Sequence, residues 1–329
     1  MGVDRSVICI GEGLIDFYCT EPDIHLTEGR KFEKQAGGAP ANVCAAIAKL
    51  GGRASFCGKA GNDPFGQFLK KTLDDAGADT SMLVFDPDHK TTLAFVSLQK
   101  NGERDFLFNR GADGFLTERD INEEKWNQAS IHHFGSATAL LEEPLRSMYL
   151  DLMGKAKGGG KFISFDPNYR QDLWKGRETL FINLVQEALK HADFIKMSGE
   201  ELALISGEES IQAGLDALHK SCSGLIAVTL GSAGTVVSNR KERAAVSSIK
   251  VKSVDSTGAG DAFVGAFLYQ LAHGGNPREA ASDMAAVKRM TAFSNLAGAA
   301  VCTKIGAIAA MPSIETVRKL GFVNHAALI

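Results

Sequence analysis

A short glycine-rich string, DSTGAGD at residues 255–261, precedes an apolar pattern of helical spacing. Gly258 and Gly260 let the backbone turn tightly, and the first N–H groups of the following helix stay free to bind an anion. Asp261 would repel an anion, so its presence calls for another role. A base that takes a proton from an attacking hydroxyl, next to donors that hold phosphoryl charge, fits this arrangement. The competing interpretation is an aspartate that caps a helix after a glycine turn.

A second segment, AGGAPAN at residues 36–42, opens a predicted helix of small residues. Its paired glycines expose backbone to a polar ligand, and Asn42 offers both a hydrogen-bond donor and an acceptor. Sugar hydroxyls require both capacities. The alternative for this segment is a turn followed by a closely packed helix.

Two arginines and two histidines stand where they could take part in chemistry. Arg110 follows an extended run, and Arg170 ends the string DPNYR at residues 166–170. Either guanidinium could neutralise charge on a transferred phosphoryl group or hold a substrate, and a solvated surface arginine is the alternative. His132 and His133 lie in an apolar run without the companion spacing of a metal site, and we expect them on opposite faces of one strand.

The elements that position these residues follow from the distribution of apolar side chains. Short, continuously apolar runs end in glycine or small polar residues, which predicts strands buried on both faces, with helical stretches between them. The alternation predicts an α/β fold with a doubly wound, mostly parallel sheet flanked by helices, whose ligands bind beyond the carboxyl ends of the strands. The predicted strands cover residues 7–10, 54–57, 131–134, 162–165, 194–197 and 225–229, and the predicted helices cover residues 40–50, 64–76, 143–157, 177–191, 211–220, 259–273 and 277–300.

One region departs from this alternation. Residues 91–100 and 104–109 are extended-looking runs joined by Asn101 and Gly102, a pair that favours a tight hairpin. With the extended stretch at residues 14–30, this hairpin predicts a small second sheet. We expect one domain over residues 1–329, with a β lid inserted from about 14–34 and 90–110. The alternative is a surface hairpin with no gating role.

Composition excludes several classes of protein. The chain has 329 residues, 44% of them hydrophobic, and its 36 Lys and Arg against 39 Asp and Glu give a net charge of −3. No polyanionic partner is indicated, so we expect no nucleic acid as a ligand. The six cysteines form no Cys-x-x-Cys pair, and the sequence has neither a signal-peptide pattern nor a long apolar span. We therefore expect a cytoplasmic protein with reduced cysteines and no membrane partner.

Two common nucleotide-binding motifs are also excluded. The glycines at positions 11 and 13 follow the first predicted strand, but the third glycine of a dinucleotide fingerprint would fall at Asp16. The sequence likewise lacks the Gly-x-x-x-x-Gly-Lys-Ser/Thr pattern of a P-loop.

The order of these motifs resembles that of the PfkB, or ribokinase-like, family of carbohydrate kinases over essentially the whole chain. The strings GEGLIDF (11–17), GGAPAN (37–42) and DPNYR (166–170) look most like those of bacterial fructokinases. The resemblance implies ATP-dependent transfer of the γ-phosphoryl group to a sugar hydroxyl. D-fructose, giving fructose 6-phosphate, is the expected substrate, because segments 11–16 and 37–42 contain no Lys or Arg for a carboxylate or phosphate. The alternatives are 2-keto-3-deoxygluconate, ribose, or a catalytically silent sugar-binding protein of the same fold.

The resemblance also assigns roles to individual positions. Asp261 matches the catalytic base, and Gly258, Ala259 and Gly260 match the anion hole. The expected substrate-binding residues follow from the resemblance and from the placement of the two arginines. They are Asp16, Gly37, Gly38, Asn42, Arg110, Asn168 and Arg170. The implied nucleotide-binding residues are Thr229, Gly231, Gly234 and Asn295. A homodimer formed through the small sheet is a further expectation.

Cations are implied in the same way. The family's Asn-x-x-Glu motif, linked to Mg²⁺, is represented here by Ser198 and Glu201, so we expect Glu201 to act on Mg²⁺ through water. Asp255, Thr257 and the loop around Gly306 match a monovalent-cation site, which predicts K⁺.

Overall fold

The structure is a computed structural model that describes residues 6–98 and 104–326. Its strands are β1 (Ser6–Ile10), β2 (Leu14–Cys19), β3 (Phe32–Gly37), β4 (Arg53–Gly61), β5 (Asp79–Asp86), β6 (Leu93–Leu98), β7 (Arg104–Asn109), β8 (Ile131–Phe134), β9 (Phe162–Phe165), β10 (Phe194–Ser198), β11 (Leu225–Thr229), β12 (Thr235–Ser238) and β13 (Arg243–Val246). Its α-helices are α1 (Ala39–Lys49), α2 (Pro64–Asp75), α3 (Glu123–Gln128), α4 (Leu145–Gly158), α5 (Gln171–Trp174), α6 (Glu178–Leu189), α7 (Gly199–Ser206), α8 (Ile211–Leu218), α9 (Ala259–His273), α10 (Pro277–Ser282), α11 (Met284–Val301) and α12 (Ile314–Ala326).

The main sheet has nine strands in the order β13-β12-β11-β10-β9-β8-β1-β4-β5. All neighbouring pairs are parallel except those made by β12, which is antiparallel to β11 and β13. Alternate residues of β1 enter different cores: Val7 and Cys9 pack with α1, α2, α9 and α11, whereas Ile8 and Ile10 pack with α4, α6, α7 and α8. Helices therefore cover both faces, and the predicted doubly wound α/β fold is confirmed.

The predicted elements of the main sheet are present, with one error among the helices. Residues 277–300 were expected to form a single helix, and this prediction is wrong. Asp283 leaves the helical region (φ −84°, ψ 103°), and its side chain accepts a hydrogen bond of 2.9 Å from the N–H of Ala285. The aspartate thus caps α11 and separates it from α10, because a side chain that binds nearby backbone competes with helix continuation.

The small second sheet has the order β3-β2-β6-β7. β2 and β3 are antiparallel, β6 and β7 are antiparallel, and β2 lies parallel to β6. The expected extended run over residues 14–30 is wrong beyond Cys19, where turns intervene before β3 begins. The predicted turn at Asn101 and Gly102 lies outside the described residues.

Aromatic contacts attach the small sheet to the main domain. Phe17 on β2 stacks on Phe95 of β6 at 5.0 Å between ring centroids, and meets Phe65 of α2 edge-on at 5.5 Å. These rings fix the position of β2 beside the main sheet. Within the described residues, no helix is both long and apolar enough to cross a membrane.

Candidate active site

The parallel order of the main sheet gathers several polar segments at one edge. Strands β1, β8, β9, β10 and β11 all end there, since each is parallel to its neighbour. The residues that follow or close these strands include Glu12, Ser136, Asp166, Ser198 and Thr229. The site is built on this edge, as expected for an open α/β sheet.

Asp261 lies in the first turn of α9, which begins directly after Gly258. Gly258 adopts the left-handed conformation (φ 79°, ψ 0°), so the string of glycines turns the chain into the helix as predicted. The Asp261 carboxylate is buried and accepts a hydrogen bond of 2.8 Å from Nδ2 of Asn42, on α1. Burial raises the pKa of Asp261 to about 6, against the lowering effects of the Asn42 hydrogen bond and of Lys196. This bond joins the two glycine-rich segments and does not cap α9.

Lys196, on β10, is a charged residue of this site that sequence analysis missed. Its Nζ lies 2.9 Å from Oδ2 of Asp166, and a Cβ at Gly260 would lie 3.0 Å from the same nitrogen. Burial lowers the pKa of Lys196, but attraction to Asp166 and Glu201 outweighs it and leaves the pKa above the ordinary value. The structure therefore puts a buried ammonium beside the glycine-rich string. A lone lysine in the apolar run FIKMS was the available signal, because a buried charge needs a partner.

Asp16 and the two glycines of residues 37–38 form one compact unit. A Cβ at Gly37 would lie 2.2 Å from Oδ2 of Asp16, and a Cβ at Gly38 would lie 2.5 Å from the carbonyl oxygen of Glu12. Gly38 also has a φ of 103°. Position 38 therefore requires glycine, whereas a side chain at position 37 would have to displace the Asp16 carboxylate. Burial raises the pKa of Asp16 to about 7, although attraction to Arg170 lowers it.

Glu12 organises this unit from behind, and sequence analysis assigned it no role. Its Oε1 accepts hydrogen bonds from the N–H groups of Ala39 (3.0 Å) and Ala137 (3.2 Å), and its Oε2 accepts one from the Ser136 hydroxyl. Burial raises the pKa of Glu12 to about 7. The carboxyl thus ties the start of α1 to the loop after β8.

The two arginines occupy different surroundings. Arg170 is exposed, and its charge lowers the pKa of both Asp16 and Asp261, so it lies in the field of the site. Arg110 is held at the base of the small sheet, where its Nη2 donates to the carbonyl of Thr138 at 2.9 Å and its Nε lies 3.5 Å from Asp113. Its local partners are therefore structural ones.

Asn168 and the histidines are buried supports of the same edge. Asn168 has a φ of 50° and donates from Nδ2 to the carbonyl of Gly135 at 3.0 Å, which shapes the turn after β9. His132 packs against Trp126, with 4.3 Å between ring centroids. His133 Nδ1 lies 3.0 Å from the Ser164 hydroxyl. Both imidazoles are fully buried, which lowers the pKa of each to about 3 and keeps them neutral.

The predicted nucleotide residues lie around the β11–β12 turn and α11. Gly231 (φ 56°) and Gly234 (φ 104°) shape the turn, and Thr229 donates to the carbonyl of Met197 at 3.3 Å. Asn295 is buried, accepts from the Thr235 hydroxyl at 2.7 Å and donates to the carbonyls of residues 246 and 247. The Asn295 amide therefore stabilises the end of β13 and forms part of the wall of the predicted nucleotide region.

Two loops close the other side of the glycine-rich string. Asp255 Oδ1 accepts from the N–H (2.9 Å) and hydroxyl (2.7 Å) of Thr257, and its Oδ2 accepts from the N–H of Gly306 at 3.0 Å. A Cβ at Gly258 would lie 3.1 Å from Cβ of Ala307. The carboxylate thus fixes the 306 loop against the start of α9.

Ser198 and Glu201 form a reciprocal cap at the start of α7. The Ser198 hydroxyl accepts from the N–H of Glu201 at 3.1 Å, and Glu201 Oε2 accepts from the N–H of Ser198 at 2.6 Å. Glu201 Oε1 accepts a third hydrogen bond, of 2.7 Å, from the N–H of Tyr169. Serine therefore performs the capping that this position requires. Across the described ranges, no three His, Cys, Asp or Glu side chains come together as a metal site would require.

The chain is similar to known proteins over nearly its whole length. The family model for pfkB family carbohydrate kinases matches residues 4–314. Fructokinase-1 from Oryza sativa subsp. japonica is 41% identical over 322 residues, which cover 97% of this chain and 98% of the relative. The structure of fructokinase from Xylella fastidiosa with bound ATP has a TM-score of 0.88 at 32% identity and covers 96% of this chain and 98% of that one.

A second similar structure was solved with a sugar, a nucleotide and a cation bound. A double mutant of fructokinase from Vibrio cholerae O395, with fructose, ADP and potassium ion bound, has a TM-score of 0.83 at 34% identity, covering 96% of this chain and 97% of that one. The fold and these comparisons together define an ATP-dependent carbohydrate kinase. The chain belongs to the pfkB family of carbohydrate kinases, and the predicted resemblance to this family and its fructokinases is confirmed.

Proposed function

We propose that this kinase transfers the γ-phosphoryl group of ATP to the C6 hydroxyl of D-fructose. The observation that carries the proposal is the Asp261 carboxylate, buried with a pKa of about 6 between Asn42 and the glycine-rich start of α9. A binding protein has no need of a base beside an anion site, which argues against a catalytically silent role. The rice relative and the two bacterial structures carry the name fructokinase, which supports the same substrate.

The chemistry assigned to the site needs three contributions. Asp261 accepts the proton of the attacking hydroxyl. The backbone N–H groups at Gly258, Ala259 and Gly260 hold the charge that develops on the transferred group. Lys196, 3.0 Å from where a Cβ of Gly260 would stand, neutralises the same charge from the sheet side.

A neutral sugar suits the surroundings of this base. We assign Asp16, Gly37, Gly38 and Asn42 to its hydroxyls, and segments 11–16 and 37–42 contain no Lys or Arg. A keto acid such as 2-keto-3-deoxygluconate would need a dedicated cation for its carboxylate. Arg170 is the cation that acts on both Asp16 and Asp261, so it would become that clamp if the keto acid were preferred.

Substrate preference is tested by ADP release with fructose, ribose, 2-keto-3-deoxygluconate, adenosine and fructose phosphates at equal concentration. Fructose should give the highest kcat/KM, and phosphorus NMR of the product should show the ester at C6. A higher kcat/KM for 2-keto-3-deoxygluconate would replace fructose as the substrate and reassign Arg170 as a carboxylate ligand. No ADP release with any sugar would overturn the kinase reaction itself.

Cations complete the proposal. Mg²⁺ keeps most of its waters when bound by proteins, so Glu201, whose oxygens already accept backbone hydrogen bonds, would act on it through water. K⁺ would be held by carbonyl oxygens of the loops that Asp255 joins, near Thr257 and Gly306. At fixed Mg²⁺ and ionic strength, kcat should be higher in K⁺ than in tetramethylammonium. Equal rates in K⁺, Na⁺ and tetramethylammonium would contradict the monovalent site.

Three further assignments accompany this function. We infer a cytoplasmic enzyme, where ATP is supplied and where the free thiols of all six cysteines stay reduced. The small sheet acts as a lid on a single domain, since its strand β2 carries Asp16, which we assign to the sugar. The same sheet forms a homodimer contact, which light scattering after gel filtration would detect as twice the monomer mass of 35.1 kDa.

A further inference from the structure

Gln35 lies on the same surface as the carboxylate assigned to the sugar. In the antiparallel pair of β2 and β3, Gln35 stands directly opposite Asp16. Directly opposed residues of such a pair point to the same face of the sheet. The amide of Gln35 therefore extends from the face of the small sheet that carries Asp16.

The amide oxygen of Gln35 is buried without a hydrogen-bond partner among the described residues. A buried acceptor left unpaired costs free energy, so such groups in folded proteins usually have a partner supplied by water or a ligand. Gln35 stands opposite Asp16, which we assign to the sugar, so a hydroxyl of the bound sugar is the donor that fits its amide oxygen.

The same amide lies in contact with Gly306. A Cβ at position 306 would lie 2.1 Å from Oε1 of Gln35 and 3.0 Å from its Cδ, and Gly306 has a φ of 91°. The N–H of Gly306 donates to Asp255, whose other oxygen holds Thr257. A continuous path of contacts therefore runs from the small sheet to the glycine-rich string.

We propose that Gln35 is a positioning residue that links the sugar site to the anion-binding loop: its amide oxygen accepts a sugar hydroxyl, and its contact with Gly306 transmits this interaction to Asp255. The proposal rests on the proposed kinase function. Binding of the sugar then orders the loop beside the anion hole before phosphoryl transfer. No part of this path involves the base, Asp261.

The acceptor role is tested with Gln35→Met, which keeps the length of the side chain and removes the hydrogen-bond acceptor. KM for fructose should rise about three- to tenfold, the effect of one neutral hydrogen bond, while KM for ATP stays within twofold. Gln35→Ala, which also removes the packing on Gly306, should lower kcat in addition. Unchanged KM for fructose in both variants, or equal increases in KM for fructose and ATP, would overturn the proposal. Thermal melting of each variant checks that it is folded.

The contact with Gly306 is tested by a double-mutant cycle. Gly306→Ala places a methyl against the Gln35 amide and should lower kcat/KM for fructose more than tenfold. Gly77→Ala is the matched control, because Gly77 has a similar φ of 85° with nothing within 4 Å of the added carbon. If the clash is with Gln35, adding Gln35→Ala should recover part of the loss caused by Gly306→Ala. Losses that simply multiply would show that the two residues act independently, against the proposal.

These tests are separable from the substrate assignment. The proposed function fails or holds on the wild-type enzyme in the sugar panel. If another sugar is preferred, the Gln35 comparisons are made with that sugar. The link between sugar and loop then stands or falls on the variants alone.

Discussion

Replacing Asp261 with asparagine removes the proposed base and leaves nearly the same shape. The wild-type carboxylate accepts a hydrogen bond of 2.8 Å from Nδ2 of Asn42. The new amide can offer its own oxygen to Asn42, so the contact between α1 and α9 should persist. Its NH₂ group then faces the substrate hydroxyl and cannot accept a proton. We therefore expect intact binding of ATP and sugar with a large loss of turnover.

The size of the loss follows from the role of the residue. Loss of a general base typically costs 10²- to 10⁴-fold in rate, about 2.7–5.4 kcal/mol of transition-state stabilisation. The pH profile gives a second measure. Asp261 must be ionised to act, and burial raises its pKa to about 6, so wild-type kcat/KM should fall about tenfold per pH unit below 6. The asparagine variant should lack this acid limb.

The assay is coupled ADP release from pH 5 to 8, with fructose and ATP binding measured separately by calorimetry. Asn42→Ala is an informative companion, because the Asn42 hydrogen bond lowers the pKa of Asp261. Its removal should move the acid limb to higher pH. A near-wild-type kcat in Asp261→Asn, or the same acid limb in that variant, would refute Asp261 as the base.

Substitutions at two further residues, with matched controls, test the supports of the site. Lys196→Met leaves Asp166 buried without the ammonium 2.9 Å away, so chemical denaturation should show that the free energy of unfolding falls by about 3–5 kcal/mol, and kcat should drop as well. The control, Lys155→Met, breaks an exposed ion pair and should change the free energy of unfolding little. Equal effects of the two substitutions would contradict the importance of the buried ion pair. Ser198→Ala should lower the free energy of unfolding by about 1 kcal/mol, because it removes the cap on the N–H of Glu201. Ser198→Asn should keep wild-type stability and activity. A loss of stability with asparagine equal to that with alanine would count against a capping role.

The sequence by itself determined the features that depend on neighbouring residues. The glycines at 258 and 260 and the apolar run after them fixed α9 at residues 259–273, because turn freedom and helical spacing are local properties. The apolar runs at 131–134 and 162–165 likewise gave β8 and β9 with the predicted limits, since strands covered on both faces read as continuous hydrophobic segments.

Only the tertiary structure decided which distant groups meet. Asn42 and Asp261 are 219 residues apart, and they are joined because α1 and α9 pack on the same face of the sheet. The ammonium of Lys196 reaches Asp166 through the pairing of β9 with β10. The amide of Gln35, on β3, lies against Gly306 in the loop that Asp255 holds. Strand order and the packing of separate elements set these contacts, and neither is encoded in the spacing of residues along one segment.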